Sequence, residues 1–558
     1  MTWNGRTGLL LLTTAWLALV AMLSAQDAKP NVSIQSDPAA LLTEARSLYR
    51  KGSFDQAVAK FNEVLKADPG SGESYAGIIR CYLKQDRVHD ADDALQKGLQ
   101  ATPENPDFKV AQGELLFRQG EIPEAGTLFS EVMVLVPPNA RAYLGAARVA
   151  EASAMYAREQ ILIKRAHEID AADPDIKKMW MRTQSVPDRI KSMEDYLAQP
   201  SNDDADTRRT LSESLELLKA SQPDPLGGCR PSSDVKSTET NLVQLQTSGR
   251  GPQGFGVEVT INGQASKLLL DTGASGIVVS RKLASQAGLK RVSDILVTGI
   301  GDKPDSKGRI ASANSLRIGD LEFHNCQVEV VDNLSSGEDG LVGADVFSEF
   351  LIELDFPSSR LRLSQLPPRP GDMPSKASLT TSHEEPATEP EAKPDPSADA
   401  AQPVARPQAS RYNDRYIAPE MHSYVQIFRI GHMLLVPTKI NEGPEKLFLL
   451  DTGAFDNTIT PDAAQEVTKV HRAPRVDVHG LSGDVKKVYV AHQVTLDFGH
   501  LRQTVPDMVS FDMSRVSRNA GTEVSGTLGL VMLRLLKIRL DYRDALADFQ
   551  YTKPTPRH

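Results

Sequence analysis

The sequence predicts a multidomain protein, an all-α repeat solenoid followed by two mostly-β barrel domains. Three observations carry this reading. A helical pattern with a period of 34 residues fills the first third of the chain. After residue 241 it gives way to short strands divided by turn signals. One short stretch, an apolar strand running into Asp-Thr-Gly-Ala, then occurs twice, at Lys267–Ser280 and Lys446–Thr460.

At 558 residues the chain is long enough for roughly three or four domains. Apolar residues make up 40% and charged residues 24%, an ordinary globular balance. The net charge of -10 and a pI near 5.7, with no basic patch, argue against a nucleic-acid partner. The N-terminus places Arg6 before the largely apolar run Gly8–Leu23, which closes on Ser24-Ala25-Gln26. That is the shape of a secretory signal peptide over residues 1–25, and it predicts export, to a bacterial periplasm or the medium. Ala25 suits a cleavage site but Leu23 is bulky where a small residue is preferred, so an uncleaved membrane anchor is the alternative. The three cysteines, Cys81, Cys229 and Cys326, permit at most one bridge and match no zinc spacing. Cys81 and Cys326 read as buried apolar thiols.

The repeat region is assigned to residues 38–184. Tyr49, Leu83 and Phe117 lie 34 apart, as do Ala57, Ala91 and Ala125, then Phe61, Leu95 and Phe129, then Pro69, Pro103 and Pro137. Gly52, Asp86 and Gly120 mark the turn inside each pair of helices. A fourth unit, Ala140 to Pro174, is expected to carry three extra residues before Asp173-Pro174. These features resemble tetratricopeptide repeats: a small Ala where two helices touch, an aromatic in the groove, and Pro ending the second helix. The resemblance implies a concave surface that docks a peptide or protein partner; the bland alternative is a spacer. Residues 185–240 form a helical connector, in which Ser201–Ala220 reads as an amphipathic helix with Asp203, Asp204 and Asp206 at its start. The acidic cluster lacks the Gly and terminal Glu of a calcium loop. Gly249–Gly254 fits the letters of a dinucleotide fingerprint but precedes a strand rather than a helix, so that match is rejected.

Two β domains are assigned to residues 241–366 and 416–555. In the first, Phe255–Ile261 alternates, Asn262-Gly263 turns the chain, and the next strand delivers Asp271. A helical turn at Arg281–Gly288, a glycine-punctuated hairpin tip at Thr298-Gly299-Ile300-Gly301, the apolar run Gly340–Asp345 and the strand Ile352–Phe356 follow. The second domain repeats the order. Asp271 to Gly299 is 28 residues and Asp451 to Gly480 is 29; Asp271 to Gly343 is 72 against 78 for Asp451 to Gly529; Asp271 to Asp355 is 84 against 90 for Asp451 to Asp541. Between the domains, residues 367–415 form a Pro-rich linker with the composition of disorder; its stretch Pro367–Ser410 holds ten prolines. Extended, the linker spans on the order of 100 Å, which forbids no placement of the two domains.

Each β domain resembles a retropepsin-like aspartic protease domain, on the Asp-Thr-Gly-Ala loop, the glycine-bearing hairpin about 28 residues later and the apolar strand ending in Gly. The resemblance implies an aspartic endopeptidase that hydrolyses peptide bonds with an activated water, with Asp271 and Asp451 as a catalytic pair and a peptide or protein as substrate. It implies no cofactor and no metal. Thr272 and Thr452 would brace the two loops, while Gly273 and Gly453 allow close backbone approach. Gly299, Ile300, Gly480 and Leu481 are flap candidates. Asp271 and Asp451 would pair either within one chain or between copies of it. Two departures single out the second domain. It has Leu530 where the first has Ala344, with no counterpart of Asp345, and Phe455 where the first has Ser275. The alternative function is therefore an inactive peptide-binding or envelope scaffold protein. His471, His479, His492 and His500 are scattered without metal spacing, and no Ser-His-Asp or Cys-His signature is present.

Overall fold

The computed structural model describes residues 37–220, 230–231, 235–246, 252–297, 299–302, 306–332, 334, 339–369, 414–474, 476–480 and 483–551. The signal segment, most of the linker, Cys229 and Leu481 lie outside the described residues.

The first region is a stack of paired helices: α1 (Pro38–Arg50), α2 (Phe54–Ala67), α3 (Gly72–Lys84), α4 (Val88–Ala101), α5 (Pro106–Arg118), α6 (Ile122–Met133), α7 (Ala140–Ala152), α8 (Tyr156–Ile169) and α9 (Pro174–Arg182). The odd-numbered helices start at residues 38, 72, 106, 140 and 174, a strict period of 34. The expected three-residue insertion is therefore absent. Pro174 is the counterpart of Pro38 and Pro106 in a first helical turn, where a proline's missing N–H costs nothing, and not of Pro137. The residues just before these helices, Asp37, Ser71, Asn105, Asn139 and Asp173, all cap them with a side-chain oxygen. Each cap contributes about 1 kcal/mol and fixes the register of its unit. Gly52, Asp86, Gly120 and Ala154 adopt positive φ at the turns between paired helices. Ala57, Ala91 and Ala125 are fully buried, and Phe61 and Phe129 fill the grooves beside them.

A charged network ties the odd-numbered helices together. Asp175 accepts hydrogen bonds from Tyr49 (3.3 Å), Lys84 (2.5 Å) and Arg141 (3.0 Å), while Arg141 also pairs with Asp173 and Glu114. Burial pushes the Asp175 carboxyl up, but Lys84, Lys178 and Arg141 hold it well below the usual range. Helices α10 (Val186–Leu197) and α11 (Ala205–Ala220) complete the connector. Asp203 does not sit on the helix dipole as expected; it accepts from Tyr196 and Lys178, and Asp204 does the capping through the N–H of Thr207.

In each β domain the Asp-bearing strand is hemmed in on both sides. Strand Gln264–Asp271 pairs with Pro252–Ile261 on one edge and runs parallel to Gly340–Gly343 on the other, with Asp271 opposite Gly343. Glu445–Leu450 repeats this with Met433–Ile440 and Gly526–Leu528. Strand Ser237–Gln246 starts before the expected boundary at 241, because it is needed to pair both Arg360–Gln365 and Pro252–Ile261. Phe350–Asp355 of the first domain pairs antiparallel with Leu536–Asp541 of the second. The two domains thereby share one sheet and one continuous apolar core that includes Ile352, Leu354, Ile538 and Leu540.

The repeats are docked on the second β domain. The Thr522 hydroxyl donates to the Phe117 carbonyl (2.6 Å), and the Glu523 N–H donates to that of Arg118 (2.8 Å). Both bonds land on the last residues of α5, where the chain enters the turn to α6. A Cβ on Gly120 in that turn would already touch Leu447 at 3.4 Å, which measures how closely the turn is seated. Arg429 lies over the rings of Tyr156 from α8 and Tyr542 from the second domain. Helix α11 packs on strand Lys290–Val297 of the first domain. The described ends of the linker meet at one carboxylate: Asp544 accepts from Arg369 (2.5 Å) and from the Tyr416 N–H (2.9 Å). Cys326 is disulfide-bonded, against the expectation of a free thiol, whereas Cys81 is free and burial pushes its thiol up to about 12. Among the described residues no helix is long and apolar enough to cross a membrane.

Candidate active site

The two Asp-Thr-Gly-Ala loops meet face to face. Thr272 and Thr452 lie side by side at the centre, both buried. The Thr272 N–H donates to the Thr452 hydroxyl (3.0 Å), and the Thr452 N–H donates to the Thr272 hydroxyl (3.0 Å). Each hydroxyl donates in turn across the interface, Thr272 to the Leu450 carbonyl (2.7 Å) and Thr452 to that of Leu270 (2.8 Å). Four hydrogen bonds in a closed reciprocal set leave neither loop free to slide against the other.

This lock brings the two carboxyls together. Asp271 lies against Gly453 of the opposite loop and Asp451 against Gly273, and each carboxyl also accepts from its own loop. Asp271 takes the Gly273 N–H at 2.8 Å; Asp451 takes those of Gly453 at 3.0 Å and Ala454 at 2.9 Å. The glycines are fixed by this approach. A Cβ on Gly453 would lie 2.4 Å from an Asp271 oxygen, and one on Gly273 would lie 2.8 Å from the Asp451 carboxyl carbon. Burial is the largest cause lifting both carboxyls, and the neighbouring charge of Asp451 adds to it for Asp271, which is pushed up to about 8. Two carboxyls so close cannot both ionise cheaply, so the pair keeps a proton to higher pH than a lone carboxyl would.

The supports behind the loops differ. In the first domain Asp345 accepts from the Ser275 hydroxyl (3.0 Å) and the Gly276 N–H (2.9 Å). The second domain, which lacks a counterpart of Asp345, uses the buried Asn457 instead: its side-chain oxygen accepts from the Gly529 N–H (2.8 Å) and its amide donates to Gln503 (3.0 Å). The loop is thus braced from the opposite side, and its support is relocated rather than lost. Sequence reasoning missed Asn457 because it looked for a polar residue after Gly529, whereas this one stands six residues after Asp451. It also missed His432, whose burial lowers its proton affinity.

The flap candidates meet each other. Strands Lys290–Val297 and Ser306–Ile318 form the first hairpin, and His479–Gly480 pairs with Gly483–Asp484 in the second. Gly480 approaches Ile300 so closely that a Cβ would stand 2.2 Å from its carbonyl oxygen. The Asp302 N–H donates to the Asp484 carbonyl (3.2 Å), and the Lys486 N–H donates to the Asp302 carboxylate (2.8 Å). Gly299 lies in the first tip, and Leu481 is outside the described residues. Phe455, the residue standing where the first domain has Ser275, is 40% exposed beside the second loop. His471 and His492 have rings 5.3 Å apart, His492 pairs with Asp507 and His479 with Asp484. Among the described residues no group of three or more His, Cys, Asp or Glu is placed to hold a metal ion.

Residues 257–346 and 436–531 each match the aspartyl protease family, and residues 48–115 match the tetratricopeptide repeat. Among solved structures, the chain is similar to pilF of Pseudomonas aeruginosa at 18% identity, covering 34% of this chain and 93% of that one, with a TM-score of 0.23. It is also similar to a retropepsin-like aspartic protease from Rickettsia conorii at 23% identity, covering 24% of this chain and 96% of that one, with a TM-score of 0.18. No curated protein matches. The chain therefore carries tetratricopeptide repeats followed by two aspartyl protease domains.

Proposed function

We propose that this protein is an exported aspartic endopeptidase whose catalytic dyad, Asp271 and Asp451, is completed within one chain. The observation that carries the reading is the pair of buried carboxyls set against each other's loops, with the loops interlocked through Thr272 and Thr452. The ionised carboxyl takes a proton from a bound water as its oxygen attacks the peptide carbonyl carbon. The protonated carboxyl gives its proton to the carbonyl oxygen, and a neutral tetrahedral diol results. Return of a proton to the peptide nitrogen then breaks the C–N bond. The two meeting hairpin tips supply a cover under which an extended peptide is held.

Export is supported by the Cys326 disulfide, since such bonds persist in oxidising compartments. The repeats are proposed to recruit a protein partner or substrate, and their seat on the second β domain keeps such a partner beside the catalytic region. The test is cleavage of a peptide library from about pH 3 to 8 by the wild type, Asp271→Asn and Asp451→Asn. Either substitution alone should abolish cleavage. Full activity in Asp451→Asn would overturn the intrachain dyad, and peptide binding without cleavage by the wild type would show a binding protein instead.

A further inference from the structure

The strands that join the two protease domains carry a selection device. Their sequences are Ile352-Glu353-Leu354-Asp355 and Ile538-Arg539-Leu540-Asp541, alike except at the second position. In the duplicated order, Asp355 and Asp541 are counterparts, so Glu353 and Arg539 are counterparts too. These two residues also stand directly opposite each other in the shared sheet. A pair of counterparts facing each other marks the pseudo-twofold axis, and a symmetric pairing sets only the residue on that axis against its own copy.

We propose that Glu353 and Arg539 select the pairing of the first domain with the second and reject the pairing of either domain with itself. In the observed arrangement Arg539 donates to Glu353 at 2.8 Å, and Lys537 reaches the same carboxylate at 2.9 Å. Two copies of the first domain would set Glu353 against Glu353. Two copies of the second would set Arg539 against Arg539. Like charges directly opposite on a sheet are destabilising, and here both would be partly buried. The neighbours within each domain only partly offset this: Arg362 stands 3.5 Å from Glu353, and Asp548 stands 3.4 Å from Arg539. The surrounding positions, Ile352, Leu354, Ile538 and Leu540, are apolar in both strands and would accept any of the three pairings. Discrimination along this strand pair therefore rests on its charged positions, Glu353 and Arg539 on the axis with Lys537 beside them. The partner fitted to the edge of the first domain is the second domain, and a second copy of the same domain is disfavoured. This inference does not depend on catalysis by the dyad.

The experiment uses the full chain with Glu353→Arg, Arg539→Glu, and both changes together, read by sedimentation velocity and thermal unfolding. Each single change puts like charges on every available axis within its own population, and is expected to lower the unfolding midpoint by on the order of 5–10 °C. The double change restores an opposite pair and should recover most of that loss and remain monomeric. Equal amounts of the two single variants refolded together carry complementary charges only between chains, so a one-to-one dimer should form in the mixture and in neither variant alone. The like-charge axis must then outweigh the roughly millimolar effective concentration that the tether provides. Midpoints unchanged in the single variants, no recovery in the double variant, or a mixture that stays monomeric would each overturn the proposal. The pair Glu353→Gln and Arg539→Gln, which keeps shape without charge, guards against misfolding of the reversals: it should fold as a monomer without the large loss of either reversal, and a loss as large as theirs would overturn the proposal.

Discussion

Replacing Asp271 by Asn should remove activity and, at alkaline pH, make the protein more stable. The reason lies in the linkage between the pair and folding. In the folded chain Asp271 is raised from 3.8 to about 8, chiefly by burial and then by Asp451. A carboxyl raised in the folded state binds its proton more tightly there than in the unfolded chain. Its favourable contribution is complete below the unfolded value near pH 4 and is lost as pH rises through about 8. The wild type should therefore weaken by about 3–5 kcal/mol between pH 4 and pH 9 on account of this pair. Asn keeps the acceptor for the Gly273 N–H and a donor for Asp451, yet carries no charge to desolvate. Asp271→Asn should follow the wild type at pH 4 and exceed it at pH 9, with an unfolding midpoint higher by roughly 10 °C. Circular dichroism melts of both proteins across that range give the two curves. Parallel curves, or a variant less stable than the wild type at pH 9, would refute the claim that the pair shares a proton in a desolvated site. On the same grounds cleavage by the wild type should persist at neutral pH and decline through about pH 8, as the shared proton is lost.

Gly453→Ala would set a methyl group 2.4 Å from an Asp271 oxygen, and displacing that carboxyl by about 1 Å should lower kcat/KM by about 100-fold. A variant within a few-fold of wild type would show that the loops are looser than described. Thr272→Val removes a donor to the Leu450 carbonyl and the acceptor for the Thr452 N–H, and should cost about 2–4 kcal/mol in unfolding assays, with Thr272→Ser recovering most of it. Asn457→Leu strands the Gly529 N–H and should cost about 1–3 kcal/mol, with lower activity at unchanged folding temperature of the repeats.

Much of this protein is legible in its sequence because its signals repeat. Thirty-four-residue spacing and two Asp-Thr-Gly-Ala loops each state their meaning more than once, so chance is easily excluded. The features that sequence reasoning misses are those that occur once or act across the fold. Pro174 aligns by eye with the prolines ending second helices, because proline serves both helix ends and only the cap at Asp173 tells them apart. Asn457 and Asp345 perform equivalent bracing from different places in the chain, and a hydrogen bond has no fixed sequence offset outside regular structure. Cys326 reads as a buried thiol because the cysteine spacing matches no zinc site, and spacing alone does not separate a thiol from half of a disulfide. The paired loops imply that the domains meet, but the register that sets Glu353 against Arg539 belongs to two strands 186 residues apart in number.

The fastening of the linker at Asp544 has a consequence for the history and handling of this chain. Because Arg369 and the Tyr416 N–H share one carboxylate, the intervening stretch departs from and returns to the same place. It bridges no gap, so its length is under almost no geometric constraint. Closing such a loop costs only about 0.6 kcal/mol more for each doubling of its length. Insertions, deletions and foreign sequences can accumulate there while the two halves keep their fit, which makes this segment the natural place to introduce a tag, a reporter or a cutting site.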